Sequence, residues 1–166
     1  MGAIRGVAEV VLNVRNMEMM VRFYTEVVGL TPHSRYPFEH PTIVFLEIAP
    51  LDSALGRTHP QLLALVDPVR HRSAAGKFDA IEQRRSALNH LAFEIDEEAY
   101  PSELARLEGL GLAPMGVRFE HMRARAIFFQ DPEGNRLELI CHDRDVSEEE
   151  ARLAGERLDR ELRSNG

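Results

Sequence analysis

Polar and apolar positions along the chain fall into two blocks that carry the same order of elements. Val7 to Val14 is rich in valine and alternates loosely, which predicts a largely buried strand with one misfit, Glu9. Asn16 is placed to cap a helix in which Met20, Phe23, Tyr24, Val27 and Val28 recur at helical spacing until Gly29 stops it. Thr31 to Phe38, Thr42 to Ile48 and Gln61 to Val66 then read as strands parted by Pro, His, Asp and Gly. The first block is thus βαβββ. In the second, Leu88 to Ile95 is a strand, and a helix beginning at Asp96 or Ser102 carries Leu104, Leu107 and Leu110 as far as Gly111. Met115 to Phe119, Arg125 to Phe129 and Arg136 to His142 complete βαβββ again. Asp67 to Ala87 mixes charges and has only a weak helical period at Phe78 and Ile81, so it reads as a linker. The expected organisation is a first module over 1–68, a linker over 69–87, a second module over 88–144 and a C-terminal helix over 145–166. The fold class is α+β.

The two blocks superimpose residue by residue, which marks an internal repeat. Ala8-Glu9-Val10-Val11-Leu12-Asn13-Val14 falls on Asn89-His90-Leu91-Ala92-Phe93-Glu94-Ile95, and Gly29-Leu30-Thr31-Pro32 on Gly111-Leu112-Ala113-Pro114. Leu62-Leu63-Ala64-Leu65-Val66 falls on Arg136-Leu137-Glu138-Leu139-Ile140. Glu9 therefore matches His90, and Ala64 matches Glu138. Three of these four equivalent positions hold metal-ligating side chains.

Asp131-Pro132-Glu133-Gly134-Asn135 is a tight turn, because proline fixes one φ and glycine supplies the positive one that doubling back requires. The flanking runs should pair antiparallel. Glu138 shares a face with Arg136 and Ile140 while Leu137 and Leu139 point the other way, and a carboxylate in such a strand is expensive without a positive partner. A surface ion pair with Arg136 would satisfy it as well as a metal would. Ser147-Glu148-Glu149-Glu150 is a capping box, and Ala151, Ala154, Leu158 and Leu162 form a stripe that packs on the domain or on a partner subunit.

Composition narrows the classes. The 166 residues, 44% hydrophobic and 28% charged, suffice for one domain or two small modules, and the formal charge of −7 argues against nucleic acid or an anionic membrane as partner. With no apolar run near membrane-spanning length and no signal-peptide core, a soluble cytoplasmic protein is expected. The lone Cys141 excludes an intrachain disulfide framework and any multi-cysteine metal site, and its apolar strand marks it as core.

The chain resembles the vicinal-oxygen-chelate superfamily, which includes glyoxalase I, bleomycin- and fosfomycin-resistance proteins, methylmalonyl-CoA epimerase and extradiol ring-cleaving dioxygenases. The similarity lies in Val10 to Val14, in Phe23-Tyr24-Thr25-Glu26-Val27-Val28-Gly29-Leu30, in Leu88 to Ile95, and in Asp131 to Leu139. The resemblance implies that each module curls into half of a cup with its helices outside. It also implies that a divalent metal is held on the concave face by the first and last strands, with His90 and Glu138 among its ligands. The similarity is greatest to one-domain extradiol dioxygenases, whose signature spacing is met by His121, Ile127, Asp131, Pro132, Gly134 and Glu138. Phe128 stands where that signature has tyrosine, and Phe119 where a smaller residue is usual. The role implied for His121 is proton transfer as a catechol-like substrate binds.

Glu9 departs from the dioxygenase pattern, which has histidine there. A Glu9, His90, Glu138 set brings a divalent ion to zero net charge instead of +1, so beside the Fe(II) implied by the resemblance it also suits Mn, Ni, Mg or Zn. In glyoxalase- and epimerase-like members a carboxylate acts as base on a carbon acid, so Glu9 reads as a ligand, as a base (a role Glu138 could fill instead), or as a residue simply exposed near a frayed first strand. The leading function is a metal-dependent extradiol-type dioxygenase acting as a homodimer on a small catechol-like substrate. The alternatives are a metal-dependent isomerase or lyase and a non-catalytic small-molecule binder. His33, His40, His59, His71 and His142 fall outside the ligand positions, with His59 the reserve ligand; Arg123 and Arg125 are candidate clamps for an anionic substrate.

Overall fold

The computed structural model describes residues 6–51, 59–71 and 88–164. The chain divides into two compact units, Met1–Ser86 and Ala87–Gly166. Most of the expected linker, including Phe78 and Ile81, lies outside the described residues.

In the first unit, strand β1 (Glu9–Asn13) leads into helix α1 (Met17–Arg22), followed by β2 (Thr31–Tyr36), β3 (Ile43–Ala49) and β4 (Gln61–Val66). The sheet order is β1-β4-β3-β2, with β1 parallel to β4 and the other pairs antiparallel. Asn16 caps α1 by accepting the Met19 amide at 3.0 Å. The helix does not stay α-helical to Gly29. Its last turn, Phe23–Val27, widens to π geometry with Val28 N donating to Phe23 O at 3.1 Å. Thr25 Oγ1 donates to Val21 O and Arg22 O, a side-chain competitor for the helical ladder. Met20, Phe23 and Tyr24 are buried, as are Leu46, Leu63 and Leu65 of the sheet. Each such aliphatic side chain contributes about 1.5–3 kcal/mol on leaving water.

The second unit repeats the plan with β5 (Leu91–Glu94), α2 (Tyr100–Gly109), β6 (Met115–Phe119), β7 (Ala124–Gln130) and β8 (Arg136–His142), in the order β5-β8-β7-β6. Here β5 runs parallel to β8, and β7 is antiparallel to both β8 and β6. The β7–β8 turn is built as its sequence predicts. Asp131 accepts from the amides of Glu133 and Asn135 and from the Asn135 side chain, and Gly134 takes φ of 83°. One face of the sheet buries Phe93, Ile127, Phe129, Leu137, Leu139 and Cys141. That face meets α2, where Tyr100 donates to Ala126 O at 3.3 Å and stacks with Arg125.

Helix α3 (Glu148–Ser164) begins at the expected capping box, in which Ser147 Oγ bonds to Glu150 Oε2 at 2.7 Å and accepts the Glu150 amide at 3.3 Å. It packs on the 3₁₀ turn Glu120–Met122 that joins β6 to β7. No helix of the described residues is long and apolar enough to cross a membrane.

Candidate metal centre

Glu138 sits in the middle of β8, opposite Ala92 of β5 and Phe128 of β7. Cross-strand partners share a face, and His90, two residues before Ala92, belongs to the same face by alternation. This is the face turned away from α2. His90 Nε2 lies 2.9 Å from Glu138 Oε2, while His90 Nδ1 lies 2.8 Å from Asn89 Oδ1. The Glu138 side chain is only 6% exposed, so the carboxylate has left water and needs a positive partner.

The pair fits a divalent cation. In the tautomer whose Nδ1–H donates to Asn89 Oδ1, the Nε2 lone pair would face the Glu138 carboxylate. Two acceptors in contact require a proton or a cation between them. The 2.9 Å separation is that of a hydrogen-bonded ion pair, and one nitrogen and one carboxylate oxygen are donor types that a divalent ion accepts. Asn89 stands where an outer partner would orient the ring of a ligand histidine. That role was not read from the sequence, although an amide adjacent to a ligand histidine is a usable signal.

Aromatic rings continue the site along the same sheet. Phe128 meets His90 edge to face at 5.8 Å, Phe119 meets Phe128 at 6.3 Å, and His121 meets Phe119 at 6.2 Å. His121 itself is exposed on the Glu120–Met122 turn, outside β7, and is linked to the His90–Glu138 pair through these two phenylalanines. A Cβ at Gly155 of α3 would lie 3.9 Å from the His121 Cβ, so the terminal helix lies beside this turn.

The first sheet reproduces the geometry with different side chains. Val11 faces Ala64 across β1 and β4, as Ala92 faces Glu138, so Glu9 has the register position of His90. Glu9 is exposed at the start of β1. Among the described residues no group of three or more His, Cys, Asp or Glu side chains is gathered for a metal. The second unit supplies the pair, and Glu9 belongs to the first. His59 is exposed, with Nδ1 2.6 Å from Pro60 O.

Arg123 and Arg125, candidate substrate clamps from the sequence, are engaged in holding the C-terminal segment. Arg123 Nε donates to Val146 O, and Arg125 donates to Asp143 and Asp145. Asp143 is fully buried and also accepts from Arg118 Nε at 2.5 Å. Burial alone would raise its pKa, but the hydrogen bonds from Arg118 and Arg125 outweigh it and hold the carboxyl down to about 2. Burial pushes the Cys141 thiol up, in keeping with a core role.

The profile of the Glyoxalase/Bleomycin resistance protein/Dioxygenase superfamily matches residues 6–139. Among solved structures, an integron cassette protein from the mobile metagenome of the Halifax Harbour sewage outfall is 25% identical with a TM-score of 0.55, over 83% of this chain and 99% of that one. Lactoylglutathione lyase from Agrobacterium tumefaciens is 20% identical with a TM-score of 0.58, over 84% and 96%. The fosfomycin resistance protein FosX from Listeria monocytogenes is 17% identical with a TM-score of 0.57, over 89% and 98%. No curated protein matches the chain.

Proposed function

Because the chain belongs to the Glyoxalase/Bleomycin resistance protein/Dioxygenase superfamily, we propose that it is a divalent-metal-dependent enzyme acting on a small molecule, and specifically that it opens a catechol-like ring in the extradiol manner. The observation that carries this reading is the His90–Glu138 pair at 2.9 Å, with Phe128 directly across the sheet from Glu138. Glu9 is the proposed third ligand, on the ground that it holds the register position of His90 in the repeated sheet. When bound, the ion, Fe(II) in this reading, supplies Lewis acidity and access to O₂.

The chain's own residues have separate tasks. Asn89 holds the His90 ring with Nε2 toward Glu138. Phe119 and Phe128 offer edges and faces against which a flat ring packs beside the pair. His121, exposed and backed by Phe119, takes a proton from a substrate hydroxyl. The carboxylate at Glu9 favours a second reading, in which it abstracts a proton from a carbon acid and the enzyme is an isomerase or lyase.

The test is O₂ uptake and product formation with catechols, on protein purified anaerobically and reconstituted with Fe(II), Mn or Ni. Ring cleavage with 1:1 oxygen consumption supports the dioxygenase reading. Its absence, together with solvent deuterium entering the carbon next to a substrate carbonyl, would replace that reading with the isomerase.

A further inference from the structure

The first unit contains a groove of about 1060 Å³ whose lining residues all lie between Arg15 and Arg70, none of them belonging to the His90–Glu138 site. Its size matches the upper end of ligand clefts. Four guanidinium groups line it, those of Arg15, Arg22, Arg35 and Arg70, against the two carboxylates of Glu18 and Glu26. That local excess of positive charge sits in a chain of formal charge −7, so it does not follow from average composition.

Arg22, Arg35 and Arg70 are only partly satisfied by the neighbours described. Among the described residues the Arg35 guanidinium makes no hydrogen bond or ion pair, and the one contact of the Arg22 guanidinium, to Glu18, is long at 3.5 Å. Asp67 binds Arg70 through Nε and thereby fixes the side chain without engaging its two terminal nitrogens. Apolar groups interleave with this charge. Met17, Val21, Pro32 and Val44 contribute to the walls, and Phe38 lines the groove while remaining 74% exposed. Phe38 also packs against the exposed Tyr36 at 5.7 Å, so an uncovered aromatic pair stands beside the cationic lining.

We propose that this groove is a second binding site, for an organic anion that joins a flat apolar body to a phosphate or carboxylate group. The guanidinium groups recognise the anion through charge-assisted, forked hydrogen bonds, and Phe38 with Val21 and Val44 covers the apolar body. An inorganic anion uses only the first half of the site and a neutral aromatic only the second.

The experiment is an amide-resolved NMR titration of the full chain with phenyl phosphate, with inorganic phosphate and benzyl alcohol as controls. Phenyl phosphate should give saturable shifts at residues 15–45 and around Arg70, and each control should bind at least about tenfold more weakly. The double variant Arg22→Glu, Arg35→Glu should weaken phenyl phosphate by about tenfold or more. Phe38→Ala should reduce the preference for phenyl phosphate over inorganic phosphate, and circular dichroism should confirm that both variants are folded. Metal removal and Glu138→Ala should leave these shifts in place. Absence of saturable shifts in the groove, equal affinity in the charge-reversed variant, or loss of binding in Glu138→Ala would overturn the proposal. The first two of these outcomes leave the proposed metal-dependent function untouched, while the third would move anion binding to the His90–Glu138 site.

Discussion

Ala64 occupies in the first sheet the position that Glu138 occupies in the second: Ala64 lies opposite Val11 and Phe45, Glu138 opposite Ala92 and Phe128. Two sheets of the same order and register therefore differ at the position where the second carries the carboxylate proposed to hold a cation. Both Ala64 and Glu138 are buried, so a methyl group replaces a charged group without opening the site to water.

Replacing His90 or Glu138 with alanine should lower bound divalent metal at least about tenfold while far-UV circular dichroism stays unchanged. Elemental analysis after dialysis checks this. Undiminished metal in both variants would remove the pair from the metal centre.

Glu9→His should raise both preference for Fe(II) and ring cleavage if Glu9 is a ligand, because the set then has the charge and chemistry of two histidines and one carboxylate. If Glu9 is a base, proton exchange at the substrate carbon is abolished and O₂ uptake does not appear. Competition between Fe(II) and Mn for the apoprotein measures the first outcome. Unchanged metal choice and activity would place Glu9 outside the site.

Asp143 should make stability steeply dependent on pH in acid. Its folded pKa of about 2 lies below the ordinary 3.8, so the unfolded chain binds the proton more readily. The stabilisation is complete above about pH 4 and is lost as pH falls through 2. Urea midpoints measured from pH 5 to pH 2 should fall less steeply in Asp143→Asn than in the wild type; equal slopes would count against the assignment.

Gly116→Ala should destabilise the second unit by about 1–3 kcal/mol, since the added Cβ would lie 2.8 Å from Tyr100 Oη. That hydroxyl is held by Ala126 O and its ring by Arg125, which limits how far it can yield. Thermal unfolding provides the measurement, and an unchanged midpoint would show that Tyr100 moves freely.

A homodimer is expected, given Leu153 and Leu162 exposed on α3. Light scattering should give twice 18.8 kDa, and a concentration-independent monomer mass would exclude it.

The elements themselves were legible in the chain because their signals are local. Strands β4, β6 and β8 begin and end where apolar alternation and turn residues put them, and Asn16, Ser147 and the Asp131 turn act through neighbours within four residues. The repeat was legible too, since the same pattern recurs, and with it the equivalence of Glu9 to His90. What the sequence could not settle depends on groups far apart along it. The approach of His90 to Glu138 follows from parallel pairing of β5 with β8, across 48 positions of chain, and the ring contacts from His90 to His121 follow from the register of β6 on β7. Arg125 reads in sequence as an exposed cation available to substrate; only the tertiary structure directs it to the buried Asp143. The widened turn after α1 was likewise hidden, because the sequence has a helical period there and the competing Thr25 hydroxyl acts only once the turn has formed. Pattern and turn chemistry determined which elements form, while long-range pairing decided which side chains meet, because a side chain's partner is set by the register of strands that the chain brings together only on folding.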